Sequence, residues 1–304
     1  MKYLYLPCLY LALSTACFSQ TKMAPCVPSS QKTAVKPGPV NDIGNGYFEE
    51  LEAARGMPDK VRHLNLQNAQ LTEVPAFVSQ LRNLEVLDLS NNRIGAFPEN
   101  LRQLVSLREL YLNGNRIQEI PASVGDLAAL QKLYVGDNPL KKISPAIGRL
   151  TGLTHLWLTS TDKDVVFQPA IWTLTNLENL KLMGLNISSV PESVRNMKRL
   201  KEFCVSNNRI TTLPAGIFDI AGLEYLSFGK NRIKEIPEGL GHLVQLNYLG
   251  LYGNPIQSVP EGLYSLLALR WLAAWDTDLA PETKEKITKE LPFANIAFTD
   301  TDVR

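Results

Sequence analysis

The strongest constraint on the fold of this chain is a pattern that recurs every 23 residues. The spacing holds throughout ten units, except for 24 residues between the fifth and the sixth. Each unit reads LxxLxLxxN and continues with an apolar residue and then an apolar–Pro pair such as Ile120-Pro121 or Ile236-Pro237. Leucine supplies 47 of the 304 residues, an excess typical of a repeated structural unit rather than of one compact core. The ten units begin at Val61, Leu84, Leu107, Leu130, Leu153, Leu177, Leu200, Leu223, Leu246 and Leu269.

The alternation within LxLxx predicts a short strand in each unit. Two leucines point inward and the residues between them point outward, because side chains of a strand alternate between its two faces. A single strand of this kind cannot bury its apolar face, so we expect ten strands to stack into a parallel sheet on the concave side of a solenoid.

The asparagine that closes the motif is expected to satisfy the backbone where the chain turns out of each strand. Its amide has both donors and acceptors for groups of its own and the adjoining repeat. The ladder is interrupted by Thr161 and Leu185, next to the extra residue in the segment 162–168. A local change of curvature and simple sequence drift both account for this break. The predicted structural ladder consists of Asn92, Asn115, Asn138, Asn208, Asn231 and Asn254.

The repeated motif resembles the leucine-rich repeat, over residues 61–280. Its 23-residue form with proline resembles the plant intracellular Ras-group-related and Ras-suppressor type, and also exported repeat proteins of Bacteroidetes-like bacteria. The resemblance implies an α/β fold, a curved horseshoe solenoid with a parallel concave sheet of about ten strands, and an interaction-scaffold function.

Both ends of such a stack need a cap, because the terminal layers would otherwise expose leucines. Residues 45–60 are predicted to form a helical N-terminal cap, with apolar residues at helical spacing at Tyr47, Leu51 and Ala54. Residues 281–304 are predicted to form the C-terminal cap, with a helix from Pro281 to Leu291. The last layer is expected to be covered by Phe293, Ile296 and Phe298.

The first residues are typical of an export signal. Lys2 precedes an apolar stretch and then small residues, which predicts a signal peptide over residues 1–19. Alternatively, residues 14–17 resemble a bacterial lipobox, with a lipoprotein signal over 1–16 and lipid attachment at Cys17. Residues 20–44 are rich in proline and predict a flexible linker. We therefore expect an exported protein, either an outer-membrane or cell-surface lipoprotein or a secreted or periplasmic one, whose only membrane contact is that lipid.

Charge and motifs argue against nucleic-acid binding and catalysis. The chain has 31 Lys and Arg against 30 Asp and Glu, with no basic block. His63 and His155 lie four repeats apart and are therefore too distant to share a metal ion. Cys204 has no flanking histidine and is interpreted as a small apolar filler, and the cysteines imply no disulfide framework. We expect no catalytic residues, metal or cofactor.

The outward positions of the strands carry the candidate binding site. These are the third, fifth and seventh residues of each repeat, and eight of the 30 are tyrosine or tryptophan. They are predicted to form stacked columns in two patches, one in repeats 3–5 and one in repeats 8–10, because neighbouring strands lie about 4.8 Å apart. The candidate ligand-binding residues are Tyr111, Tyr134, Trp157, Tyr225, Tyr248, Tyr252, Trp271 and Trp275.

Exposed aromatic side chains are enriched at binding hot spots, so the preferred interpretation is a protein- or peptide-binding scaffold. The partner is an unidentified protein or peptide, and the chain is expected to be a monomer. Three alternatives remain open. In the first, the rings only stabilise the sheet by cross-strand packing. In the second, the rings bind glycans. In the third, the protein is an envelope spacer with no specific ligand.

Overall fold

The computed structural model describes residues 41–42, 46–49 and 51–299, all of them within one compact unit that spans Val35–Arg304. The predicted signal peptide, Cys17 and nearly all of the predicted linker lie outside the described residues. We number the repeats 1 to 10 from Val61 and call each repeat a layer.

Short strands recur at the predicted position of every repeat. Their bounds are β1 Asn41–Asp42, β2 Tyr47–Phe48, β3 His63–Asn65, β4 Val86–Asp88, β5 Glu109–Tyr111, β6 Glu119–Ile120, β7 Lys132–Asn138, β8 Lys142–Ile143, β9 His155–Ser160, β10 Asn179–Met183, β11 Glu202–Cys204, β12 Tyr225–Ser227, β13 Tyr248–Gly250, β14 Trp271–Ala273 and β15 Asn295–Ala297.

The strands form one long sheet in chain order. It has 13 strands, β1-β2-β3-β4-β5-β7-β9-β10-β11-β12-β13-β14-β15, and β6 and β8 form a separate two-stranded sheet. All neighbours in the long sheet are parallel except β1 and β2, which are antiparallel. The predicted leucine-rich repeat solenoid with a parallel sheet is confirmed. The sheet exceeds the predicted ten strands because β2 and β15 in the caps extend it, together with β1, which lies at the end of the segment predicted as a flexible linker.

The return segments are short 3-10 helices rather than α-helices. Most of them follow a proline, whose fixed φ favours the start of a helical turn and whose missing N–H is not needed there. The two α-helices are α1 Leu51–Gly56 and α2 Pro281–Glu290, in the caps. The 3-10 helices span Pro58–Lys60, Ala76–Gln80, Glu99–Gln103, Ala122–Asp126, Pro145–Arg149, Pro169–Thr173, Glu192–Asn196, Ala215–Asp219, Leu240–His242 and Glu261–Ser265.

The repeated leucines fill a continuous core between the sheet and the return segments. In layer 3, for example, Leu107, Leu110 and Leu112 are fully buried. The same motif positions are buried in every layer, because each layer covers the leucines of its neighbour.

The motif asparagines bond backbone groups of two successive layers. The side-chain oxygen of Asn231 accepts a hydrogen bond from the N–H of Ile210 at 3.0 Å. Its Nδ2 donates to the carbonyls of Val205 and Phe228 at 3.0 and 2.8 Å. One amide therefore bonds three backbone groups. The Ile210 N–H depends on Asn231, whereas the carbonyls of Val205 and Phe228 also accept from Asn208 and Asn254. Equivalent bonds occur at Asn92, Asn115, Asn138, Asn208 and Asn254.

Strands lengthen where the ladder is interrupted. The strand β7 has seven residues, β9 six and β10 five, whereas the strands of the other repeats have three. Here the hydroxyl of Ser160 donates to the carbonyl of Leu140 at 2.7 Å and accepts from the N–H of Asp162 at 2.9 Å. A serine hydroxyl thus takes over part of the role of the missing asparagine.

The eighth residue of each repeat lies just before the position of the motif asparagine. It has a left-handed backbone in nine of the ten repeats. The φ values lie between 51° and 67°. Glycine, asparagine and aspartate tolerate this region best, and they occupy eight of the nine positions. The ninth is Lys230, with φ 54°. The nine residues are Asn68, Asn91, Gly114, Asp137, Gly184, Asn207, Lys230, Gly253 and Asp276.

The structure corrects both predicted caps. At the N-terminus Tyr47 lies in β2 and not in a helix, because β2 extends the sheet beside β3 and buries Phe48 against the first layer. At the C-terminus Phe293 is 85% exposed and does not cover the last layer, because it lies in the turn that precedes β15. Ile287 and Leu291 are buried there instead, with Ile296 and Phe298 packed partly against the core.

Candidate functional site

The first aromatic patch lies on layers 3 to 5, where the strands align its three rings. Tyr111 pairs with Tyr134 in the register of the sheet, and Tyr134 pairs with Trp157. The rings of the two tyrosines stack, with centroids 4.9 Å apart and planes 4° from parallel. Trp157 meets Tyr134 edge-on, at 6.1 Å and 83°. The predicted column therefore exists as a continuous ring contact.

The second aromatic patch lies on layers 8 to 10 and contains two stacks. Tyr225 and Tyr248 stack with centroids 4.2 Å apart and planes 5° from parallel. Tyr252 and Trp275 stack at 4.5 Å and 14°. Trp271 pairs with Tyr248 in register and ends the first of these columns.

The expectation that these rings are exposed is wrong for most of them. Trp157 is 7% exposed, Tyr248 8%, Tyr252 3% and Trp275 6%, whereas Trp271 retains 37% of its surface. Stacking covers the faces of the rings, and burial raises the pKa of Tyr134 to about 12. Burial likewise raises the pKa values of the other tyrosine hydroxyls of the patches, Tyr111, Tyr225, Tyr248 and Tyr252.

Glycines at outward positions let two of the buried rings lie against the sheet. A Cβ built on Gly229 would overlap carbons of the Tyr252 ring, so this ring rests on the glycine backbone of the preceding layer. Trp157 approaches Gly136 in the same manner, with Cε2 3.0 Å from the position of a Cβ. A glycine at an outward position of the preceding repeat is therefore the sequence signal that predicts burial of such a ring.

A polar strip separates the two aromatic patches. Lys181 Nζ forms an ion pair with Glu202 Oε2 at 2.9 Å, and the lysine is only 2% exposed. Burial lowers the pKa of Lys181, while the Glu202 carboxylate opposes that shift. The ammonium also lies 5.8 Å from the centre of the Tyr225 ring. The positive charge of Lys181 is therefore partly neutralised by Glu202.

A second ion pair borders the first patch. Lys132 Nζ lies 2.9 Å from Glu109 Oε1, and the Tyr111 hydroxyl donates to Glu109 Oε2 at 2.6 Å. Burial raises the pKa of Glu109, but the hydrogen bonds from Tyr111 and Lys132 outweigh it, and the net shift is downward. Burial, and then the positive charge of Lys132, lowers the pKa of His155. These groups stabilise each other across strands.

Cys204 departs from its interpretation as an apolar filler, because the structure records it as disulfide-bonded. The other three cysteines of the chain, Cys8, Cys17 and Cys26, lie outside the described residues. The hydroxyls of Ser206 and Ser227 lie 3.0 Å apart beside it and hydrogen-bond the buried hydroxyl of Tyr252.

Within the part of the chain that the structure describes, no three His, Cys, Asp or Glu side chains cluster as metal ligands would. None of its helices is long and apolar enough to cross a bilayer.

Two family models match the repeat region. The model described as "Leucine-rich repeat region" matches residues 98–208, and "Leucine rich repeat" matches residues 59–117 and 198–256. Together they cover more than half of the chain. This protein belongs to the leucine-rich repeat family. Its assignment to the 23-residue subclass stays a prediction.

Solved structures share the solenoid, although no curated protein matches the sequence. A leucine-rich repeat protein of Leptospira interrogans is 29% identical, with 79% of this chain and 73% of that chain covered and a TM-score of 0.54. The ectodomain of the Arabidopsis thaliana receptor kinase GASSHO1/SCHENGEN3, solved with CASPARIAN STRIP INTEGRITY FACTOR 2, is also 29% identical, with a TM-score of 0.67. That match covers 80% of this chain but only 30% of the receptor chain.

The plant peptide hormone receptor RGFR1, solved in complex with RGF2, is 26% identical with a TM-score of 0.64. The match covers 79% of this chain and 43% of that one. This chain therefore spans less than half the length of either plant receptor chain. An internalin of Listeria monocytogenes, 22% identical with a TM-score of 0.54, shares the fold.

Proposed function

We propose that this protein is a non-enzymatic scaffold that binds a protein or peptide on the concave face of its solenoid. The observation that carries the proposal is the second aromatic patch. There two ring stacks lie on three consecutive layers, and Trp271 ends one column with 37% of its surface exposed. Large ordered aromatic side chains provide contact area at little cost in conformational entropy.

The similar plant receptor structures support this class of function, since one was solved in complex with CASPARIAN STRIP INTEGRITY FACTOR 2 and the other, a peptide hormone receptor, in complex with RGF2. Among the eight aromatic residues, Trp271 is the proposed contact, and the buried rings hold the surface that presents it. This division of labour joins two interpretations that were alternatives at the level of sequence, ring stacking and ligand binding.

Glycan binding is less compatible with the geometry. Sugars stack on open ring faces, whereas Tyr225 and Tyr248 cover each other, and Tyr252 lies between Gly229 and Trp275. Only Trp271 among the second patch exceeds one third exposure.

The test is a selection of peptides from a random 12-residue display library on the immobilised protein, with a glycan array run on the same preparation. We expect the selection to yield peptides that bind the concave face of the wild-type protein. We expect no glycan that binds in a Trp271-dependent manner. Glycans that bind through Trp271, together with no selected peptide, would contradict the proposal and favour the glycan alternative.

We also propose that the protein is exported, on the evidence of the sequence of residues 1–19. Mass spectrometry of the mature N-terminus distinguishes the two processing routes. Lipid on Cys17 identifies a membrane-anchored lipoprotein, whereas an unmodified start at Gln20 identifies a soluble product and excludes the anchor. A mature protein that retains Met1 would contradict export by either route.

A further inference from the structure

A cluster of four cations lies where the chain leaves the strands of layers 7 and 8. Lys230, Arg232 and Lys234 are exposed and alternate with the buried Asn231 and Ile233. Lys230 lies in the left-handed turn before Asn231, and Arg232 and Lys234 follow in the irregular segment after it. Arg209 holds the position of Arg232 in the preceding layer, and the N–H of Arg232 donates to the carbonyl of Ile210 at 2.8 Å.

The cluster is not neutralised by the described residues around it. None of the ion pairs that join described residues involves any of these four cations. At the equivalent positions, layer 9 has Gly253, Pro255 and Gln257, which carry no charge. Asp276 and Asp278 are two layers away, about 10 Å at strand spacing. Glu235 is exposed next to Lys234 and begins the return segment.

Lys230 holds its place against the preference of the backbone. At this position the other eight left-handed residues are glycine, asparagine or aspartate, and lysine is the exception. A lysine held in this backbone region at a cost in free energy motivates the hypothesis of a role for its side chain. The Cγ of Lys230 lies 3.0 Å from the position of a Cβ on Gly253, so its stem runs toward layer 9, beside the Tyr252–Trp275 stack.

We propose that this cation cluster, Arg209, Lys230, Arg232 and Lys234, binds an acidic peptide segment of the partner. The inference rests on the proposed function, because the cluster borders the second aromatic patch and would hold the flanking part of the same ligand. Successive carboxylates of an acidic peptide complement the charge of neighbouring cations, and guanidinium groups bind carboxylates in bidentate fashion.

The charge of the whole chain makes the test specific. The formal net charge is only +1, so general attraction of polyanions is weak and a local effect is measurable. The probe is a fluorescein-labelled peptide of ten glutamates, with binding followed by fluorescence anisotropy during a salt titration. We expect binding that weakens as salt rises, because exposed charges are screened.

Two arginine pairs provide matched variants. Arg209→Gln with Arg232→Gln is expected to weaken binding of the glutamate peptide about tenfold. Arg93→Gln with Arg116→Gln removes the same charge from the same repeat positions in layers 2 and 3, and should change the affinity less than twofold. Equal effects of the two double variants would overturn the proposal.

A variant of Lys230 separates function from stability. Lys230→Asn should weaken peptide binding while the midpoint of thermal unfolding stays the same or rises, since asparagine suits the left-handed backbone better. An unfolding midpoint that falls by several degrees, with binding unchanged, would contradict a ligand role for the side chain.

Two further results distinguish other ligands and the two proposals. Binding of heparin or of phosphatidylglycerol vesicles through these cations, without binding of the glutamate peptide, would overturn the acidic-peptide proposal. If Trp271→Ala leaves every selected library peptide bound but the glutamate peptide still requires Arg209 and Arg232, the concave-face proposal fails and the present one stands.

Discussion

Replacement of Asn231 by alanine is expected to lower the free energy of unfolding by about 3 kcal/mol. The substitution removes the acceptor of the Ile210 N–H and the donor to the carbonyls of Val205 and Phe228. Asn231 is only 8% exposed, so water does not readily replace the lost partners. The Ile210 N–H is left unpaired, at a cost of about 1–3 kcal/mol, and each of the two lost bonds to carbonyls costs about 0.5–1.5 kcal/mol, since Asn208 and Asn254 still bond these carbonyls. Urea denaturation followed by circular dichroism measures the effect.

A surface asparagine provides the control for this experiment. Asn196 is exposed in the 3-10 helix Glu192–Asn196, and Asn196→Ala should change stability by less than about 0.5 kcal/mol. If Asn231→Ala is as mild as Asn196→Ala, the asparagine ladder does not stabilise this solenoid in the way described.

Replacement of Gly229 by alanine is expected to destabilise the fold by about 2 kcal/mol, through overpacking. The new methyl group would overlap carbons of the Tyr252 ring, and that ring is held by its stack on Trp275 at 4.5 Å. The backbone of Gly229 is not left-handed, so the cost arises from the ring contact and not from φ.

A double-mutant cycle isolates that contact. In a Tyr252→Ala background, Gly229→Ala should cost less than about 0.5 kcal/mol, because the clashing ring is gone. Gly222→Ala is the matched control, since nothing lies within 4 Å of the position of its Cβ. An equal cost of Gly229→Ala with and without the Tyr252 ring would show that the ring does not lie on this glycine.

Much of the fold follows from the sequence because its signals are local and periodic. The strand positions and the role of Asn231 depend on the alternation of side chains and on the chemistry of one amide, and both are readable within a single repeat. The left-handed residue before the asparagine was readable from the same repeats, since Gly114, Asn207 and Asp276 share that place. Comparison down this one column would have identified Lys230 as the exception.

The orientation of side chains between repeats was harder to predict. Whether Tyr252 stands up from the sheet or lies on it depends on Gly229, which belongs to the neighbouring layer. The caps have no repeated pattern to average over, so Tyr47 was assigned to a helix from its spacing although its strand pairs with β3. Phe293 was predicted to cover the last layer because its side chain is apolar, yet it lies in a turn that leaves it exposed.

The most direct test of the central claim measures the affinity of library-selected peptides for three forms of the protein by isothermal titration calorimetry. Trp271→Ala removes the exposed ring of the second aromatic patch, and Val166→Ala removes an apolar side chain that is 59% exposed outside the concave face. We expect a loss of about 2 kcal/mol in binding free energy, roughly 30-fold in affinity, for Trp271→Ala, and less than a twofold change for Val166→Ala. Unchanged affinity of every selected peptide for Trp271→Ala would contradict binding at this patch.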